Sequence, residues 1–111
     1  MRSNAEGQIV RFSRLHANKF STGTLKDAEV TLTFEHPTVL SLTPTAARDV
    51  NLPADAEEYR GHFFILFNLA AATHGITLKN AADATVGTVA ATKSAMVVLS
   101  DSGVWKVVAG A

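Results

Sequence analysis

Hydrophobic and polar residues alternate in short runs from about residue 28 to the end of the chain. The first run, AEVTLTFE, places Val30, Leu32 and Phe34 on one face, with threonines and a glutamate on the other. Alternation with a period of two predicts a strand that is buried on one face only. Similar runs, separated by proline or by turn-forming residues, occur at TVLSLT, ARDVNLP, ITLKN, TVGTVA, SAMVVLS and VWKVVAG. Strands that recur at this spacing predict an all-β sandwich or barrel.

The last third of the sequence has the pattern of two consecutive hairpins. One connection contains asparagine and aspartate, and the other is Ser-Asp-Ser-Gly. We expect a positive φ at Ser102-Gly103, since glycine has no Cβ to oppose it. Further upstream, the acidic ADAEEYRG predicts a single helical turn or a loop. The only other helical candidate is the alanine-rich NLAAATHG of residues 68–75.

One strand, within GHFFILFNLAAA (61–72), is apolar on both faces. It is too short to cross a bilayer, which takes about 20 apolar residues as a helix. We expect the odd-numbered face to supply the core, through Phe63, Ile65, Phe67 and Leu69. The even-numbered face then carries Phe64 and Leu66, and either the N-terminal segment or a second protein would cover it.

The first 27 residues fit the strand pattern less well, and the charge of the chain changes near their end. Residues 1–20 contain four basic residues and one acidic residue, whereas residues 21–62 contain three basic and seven acidic residues. The sequence therefore predicts an N-terminal arm or first strand over 1–27 and a β-sandwich domain over 28–111. An arm of this kind would reach an acidic neighbour.

Composition narrows the function. The chain has 111 residues, 47% of them hydrophobic, and ten basic against ten acidic residues. A neutral single domain is not expected to bind nucleic acid or membrane through its whole surface. The absence of cysteine excludes disulfides and thiolate metal sites. No secretory signal precedes the domain, so we expect synthesis in a cytoplasm.

No motif predicts catalysis, a metal or a cofactor. The four histidines lack metal-ligand spacing, and Asp55, Glu57 and Glu58 lack the order of a calcium loop. Neither a nucleophile elbow nor a glycine-rich phosphate loop is present. The only aromatic candidates for a glycan-binding surface are Tyr59 and Trp105. We therefore expect a protein that is not an enzyme, although acidic side chains brought together by the fold stay open as an alternative.

The block from VNLPADAEEYRGHFFILFNLA through ITLKNAADATVGTVA to MVVLSDSGVWKVV resembles β-domains of tailed-phage virion proteins. The shared elements are an apolar strand after Gly61, Asn68 near its end, the ITLKN strand, and a terminal hairpin reading D-S-G-x-W. The resemblance covers residues 50–109. The chain length and the basic segment favour capsid decoration proteins, the cement or staple proteins of short-tailed double-stranded DNA phages, over tail-fibre proteins.

The resemblance implies a jelly-roll-like antiparallel β-sandwich of about eight strands with an extended N-terminal arm. It also implies a place on the outer capsid surface of the virion, binding to the major capsid protein, and a homo-oligomer, for which a dimer is favoured over a trimer. No catalytic residue or cofactor is carried over, and neither membrane nor nucleic acid is an expected partner.

The leading hypothesis is thus a structural protein that stabilises a capsid by tethering neighbouring subunits. The residues predicted to bind the capsid protein or a neighbouring subunit are Arg2, Ile9, Arg11, Phe12, Arg14, Phe20, Phe64 and Leu66. The alternative is a receptor- or carbohydrate-binding β-module of a tail fibre.

Overall fold

The computed structural model describes residues 21–110, which form nine strands and one 3-10 turn. The strands are β1 (Thr22–Thr24), β2 (Val30–Thr31), β3 (Val39–Leu42), β4 (Arg48–Asn51), β5 (Phe63–Asn68), β6 (Ile76–Lys79), β7 (Thr85–Val89), β8 (Ser94–Leu99) and β9 (Trp105–Gly110). The 3-10 turn spans Glu57–Tyr59, within the segment where a helical turn or a loop was predicted. Residues 68–75, the other helical candidate, contain the last residue of β5 and no helix. The all-β prediction is confirmed.

The strands form two mixed sheets. One has five strands in the order β1-β3-β5-β8-β9, and the other has four in the order β2-β4-β6-β7. The first six strands alternate between the sheets, and neighbours among them pair in parallel. Only the pairs β5–β8, β6–β7 and β8–β9 are antiparallel.

The predicted antiparallel pairing is therefore wrong for the first six strands, and a jelly-roll strand order is not confirmed. The links that contain Pro37, Pro44 and Pro53 carry the chain to the opposite sheet. A proline lacks the N–H that a tight hairpin ladder uses, so these links do not return the chain beside the strand it has just left. Parallel neighbours instead need a long crossover, and a strand of the other sheet occupies each one.

Both predicted hairpins are present. In the connection of β6 to β7, Asn80 Oδ1 accepts hydrogen bonds from the backbone N–H groups of Ala82 and Ala84, at 2.9 and 3.0 Å. In the connection of β8 to β9, Gly103 has a φ of 85°. This φ favours glycine, and a Cβ at Gly103 would lie 2.6 Å from Asp55 Oδ2, so a larger residue would also displace the Asp55 carboxylate.

The core lies between the two sheets. Leu32, Val50 and Leu52 are buried there as their alternation predicted, and Val30 and Phe34 pack against it while partly exposed. The buried residues of this cluster are Leu25, Leu32, Leu40, Leu42, Val50, Leu52, Phe64, Leu66, Ile76, Leu78, Val89, Ala95, Val97, Leu99 and Trp105.

The two faces of β5 are the reverse of those predicted. Phe64 and Leu66 are buried in the core, whereas Phe67 and Leu69 are 40% and 54% exposed. The neighbouring strands decide this orientation, because Leu40 and Leu42 of β3 and the alternate residues of β8 are buried in the same phase.

A buried polar residue, Asn68, completes the core face of β5. Its Nδ2 donates to the carbonyl oxygens of His74 and Val89, each at 2.9 Å, and its Oδ1 accepts from the Ala70 N–H at 2.9 Å. With these bonds made, the amide can be buried without a large desolvation penalty.

Candidate interaction surfaces

The outer side of the five-stranded sheet is apolar at its centre, whereas Thr24, Ser41 and Ser94 share the row of Phe67 and Lys106 pairs with Val98. We call the residues that line it the outer apolar face: Val39, Phe63, Ile65, Phe67, Met96 and Val98. The register places Ile65 opposite both Val39 and Met96, and Phe63 opposite Val98, so these side chains form continuous cross-strand rows. Five of the six are half-buried and Phe67 is exposed.

The outer side of the four-stranded sheet is polar. Pairing places Asp49, Thr77 and Thr88 in one row across it, and Thr31, Asn51 and Lys79 in another. On the inward side of these strands, buried aliphatic residues are Val50, Ile76, Leu78 and Val89. A sheet that meets water on one side normally shows this apolar and polar alternation. The five-stranded sheet departs from that rule, which makes its outer face the candidate contact surface.

Neither of the two predicted site residues that the structure describes lies on the outer apolar face. Phe64 and Leu66 are 1% and 2% exposed within the sandwich, so they offer no surface to a partner. The other six, Arg2, Ile9, Arg11, Phe12, Arg14 and Phe20, lie outside the described residues. Of the predicted N-terminal segment, Thr22–Thr24 forms β1 on the edge of the five-stranded sheet and Leu25 is buried.

Sequence reasoning missed the contribution of β8 to this surface. Residues 95–99, AMVVL, lack polar residues at alternate positions, as β5 does. Two strands with that pattern, if they pair, make a sheet that is apolar on both sides. That signal was available, but only the pairing of β5 with β8 shows that the two runs are neighbours.

Five aromatic rings pack together at one end of the core. Phe34 stacks on Tyr59 with 4.3 Å between ring centroids, and Phe64 stacks on Trp105 at 5.8 Å. His62 contacts Phe34 and Phe64 edge-on, at 5.3 and 5.0 Å. This cluster fixes the 3-10 turn against the core.

The cluster bears on the glycan-binding alternative. Trp105 is 5% exposed, and its Nε1 donates to the Pro53 carbonyl oxygen at 2.8 Å. A buried, hydrogen-bonded indole cannot stack on a sugar, so Trp105 is a core residue. Tyr59 is 42% exposed but is a single ring, which does not make a row of aromatic platforms.

An open groove of about 620 Å³ lies where the parallel strands β2 and β4 end and β6 turns into β7. Leu32, Phe34, Leu52 and Pro53 give it apolar walls. Its polar lining includes amides, hydroxyls and the carboxylates of Glu29 and Asp83, and is completed by Thr31, Thr33, Asn51 and Asn80. We call this feature the acidic groove. Sequence reasoning did not find it, because its residues come from three separate segments.

Comparison with protein-family models, with curated proteins and with solved structures finds no match to this chain.

Ion pairs hold the links between strands rather than form a reactive centre. Arg48 Nε lies 2.8 Å from Asp27 Oδ1, and the hydrogen bonds from Arg48 and Thr45 lower the pKa of Asp27 to about 2. Arg60 Nη2 lies 2.7 Å from Asp55 Oδ2, and this contact lowers the pKa of Asp55. Both carboxylates are therefore charged partners at neutral pH.

The described residues contain no group of three histidine or acidic side chains that could hold a metal ion. Nor do residues 21–110 contain a helix long and apolar enough to cross a membrane.

His62 gives the fold a specific pH dependence. Its Nε2 is buried and has no hydrogen-bond partner among the described residues. Burial lowers the pKa of His62 from the ordinary value of 6.5. The unfolded chain therefore binds a proton at His62 more readily than the folded chain does. This group leaves the free energy of unfolding unchanged above about pH 6.5 and lowers it as the pH falls below that value. We expect the urea midpoint to fall between pH 8 and pH 5.

The variant His62→Phe tests this origin, because phenylalanine keeps a ring in the aromatic cluster and cannot titrate. Its urea midpoint should change less between pH 8 and pH 5 than that of the unmodified chain. An equal fall in both proteins would assign the pH dependence to other groups.

Proposed function

We propose that this protein is a structural virion protein that decorates the outside of a phage capsid and stabilises it by binding neighbouring major capsid protein subunits. The observation that carries the proposal is the contrast between the two outer faces of the sandwich: one is polar, and the other carries two apolar rows, Val39 with Ile65 and Met96, and Phe63 with Val98. Contiguous apolar surface of this kind is typical of protein interfaces. The resemblance of residues 50–109 to phage β-domains supplies the class of partner.

The outer apolar face replaces the contact residues that the sequence predicted on β5. Phe67 is its most exposed side chain, and Leu69, just beyond the strand, is also exposed. A capsid presents the same binding surface many times, so modest contacts from several copies can hold a shell together through avidity. A homo-oligomer and an arm formed by residues 1–20 remain part of the proposal. Jelly-roll strand order is not required by it.

The proposal is tested by placing a charge on each outer face in turn. Phe67→Lys puts an ammonium group on the outer apolar face, and Thr88→Lys puts one on the polar face of the other sheet. Both positions are exposed, so both variants should fold. Binding to undecorated shells, measured by co-sedimentation, should weaken by at least about tenfold for Phe67→Lys, equivalent to about 1.4 kcal/mol. Thr88→Lys should bind as the unmodified protein does.

Two results would reject the assignment. If Phe67→Lys, with an unchanged melting temperature, binds shells normally, the outer apolar face is not the contact surface. If the unmodified protein binds no shell, then capsid decoration itself is wrong.

A further inference from the structure

The acidic groove borders a sheet edge that can accept another strand. Within the described residues, β2 is the outermost strand of the four-stranded sheet. Leu32 N–H donates to the Asn51 carbonyl oxygen, so it faces β4. Successive residues of a strand present their backbone groups to opposite sides, and the N–H and C=O of Thr31 therefore point to the open side of the sheet. Both backbone groups of Thr33, the next residue on that side, are bonded to His36. An extended peptide can therefore pair with this edge at Thr31.

The groove also selects the chemistry of that peptide. Asn51 Nδ2 donates to Glu29 Oε2 at 2.9 Å, which fixes one carboxylate at the edge of β2. Asp83 is on the turn that closes the other side. Its carboxyl group lies 3.5 Å from Lys79 Nζ and is 82% exposed, so it can contact a second cation from solvent. Between them lie the apolar side chains of Leu32, Phe34 and Pro53. The groove thus suits a basic side chain beside an apolar one.

A saccharide fits this groove less well. Phe34, the aromatic ring that lines it, is stacked at 4.3 Å on Tyr59 and lies 6.2 Å from Trp105, nearly parallel to both. Tyr59 therefore covers one face of the ring, which reduces the surface that a sugar could stack on.

We propose that the acidic groove binds the basic N-terminal segment of a second copy of this chain. The inference rests on the proposed function, in which contacts between neighbouring molecules hold a shell together. Residues 10–13 read Val-Arg-Phe-Ser, which in an extended peptide puts Val10 and Phe12 on one face and Arg11 on the other. Residues 1–20 carry four basic and one acidic residue, against an acidic excess in residues 21–62, so the charges of segment and groove are complementary.

The absence of cysteine from the chain permits a clean test. Two full-length variants are made with tags of different size: Thr31→Cys in the groove and Phe12→Cys in the segment. Each chain then has one cysteine, so a bond between the two tags reports only a contact between copies. After mixing and mild oxidation, the yield of disulfide-linked heterodimer is measured. It should be roughly tenfold higher for Thr31→Cys mixed with Phe12→Cys than for the control mixture of Thr88→Cys with Phe12→Cys, because binding raises the effective concentration of the two cysteines.

Charge is tested on the same cross-linking pair. Adding Glu29→Gln and Asp83→Asn should reduce the yield of heterodimer several-fold, because both substitutions remove a negative charge from the groove. The amides keep the shape and hydrogen bonds of the groove, and asparagine tolerates the φ of 67° at position 83. The control pair Glu58→Gln and Asp101→Asn removes two exposed carboxylates outside the groove and should change nothing. Raising the salt concentration to about 0.5 M should act in the same direction as the groove variants, through screening.

Equal cross-linking at Thr31 and Thr88 would overturn the inference. So would a bond that forms only within one chain carrying both Thr31→Cys and Phe12→Cys, since the segment would then occupy the groove of its own molecule. Either result leaves the shell-binding test of Phe67 unaffected, so the two proposals fail separately.

Discussion

Replacing Phe64 by alanine is expected to lower the free energy of unfolding by about 3–5 kcal/mol. The ring is 1% exposed, stacks with Trp105 and contacts His62 edge-on. Its removal takes apolar surface out of the core and leaves a cavity that the two surrounding sheets can fill only in part. Equilibrium urea unfolding measures the loss.

Phe67→Ala is the matched control, because it deletes the same side chain from the opposite face of the same strand. Phe67 is 40% exposed, so its loss should lower the free energy of unfolding by about 1 kcal/mol or less. A larger loss for Phe67→Ala than for Phe64→Ala would mean that the faces of β5 are reversed relative to the structure.

The second large effect is expected from Asn68→Ala, at about 2–4 kcal/mol of unfolding free energy. The substitution leaves the His74 and Val89 carbonyl oxygens and the Ala70 N–H without the bonds that Asn68 gives them. Two of these contacts bridge separate parts of the chain, since Val89 ends β7 and His74 precedes β6. Buried polar groups that lose a partner destabilise by about 1–3 kcal/mol each, less where water can enter.

Asn80→Ala controls for the residue type. Asn80 Oδ1 also accepts backbone hydrogen bonds, from Ala82 and Ala84, but in an exposed hairpin turn. Water can replace that acceptor, so the loss should be about 1 kcal/mol. Thermal unfolding of both variants, followed by circular dichroism, separates the two cases. Similar losses would show that Asn68 acts through local turn chemistry and not through burial.

The sequence predicts those parts of the fold in which neighbouring residues determine the outcome. Alternation places Leu32, Val50 and Leu52 in the core, and turn chemistry at Asn80 and Gly103 predicts the two hairpins that form. Each of these features depends on a few adjacent residues and on backbone conformations that particular side chains favour.

The features that the sequence did not predict depend on pairing between distant segments. β5 has apolar residues on both faces, so its own pattern cannot say which face is buried. The in-phase burial of β3 and β8 decides the orientation. The parallel pairing of the first six strands has no local signal either, because a link that contains proline is compatible with many crossovers. The acidic groove depends on this pairing, because residues of β2 and β4 line it.

The alternation of the first six strands makes the fold a short stack of rungs, each with one strand in either sheet. β1 with β2, β3 with β4, and β5 with β6 are successive rungs, and each pairs only with the rung before and after it. In such a stack stability is built up by nearest neighbours, as in solenoid proteins. After the third rung, β7 pairs with β6 and β8 pairs with β5, both antiparallel. At the other end, among the described residues, the first rung places a short strand at the edge of each sheet. Substitutions in the first rung can therefore change which partner binds at these edges, while the strand pairing of the later rungs is kept.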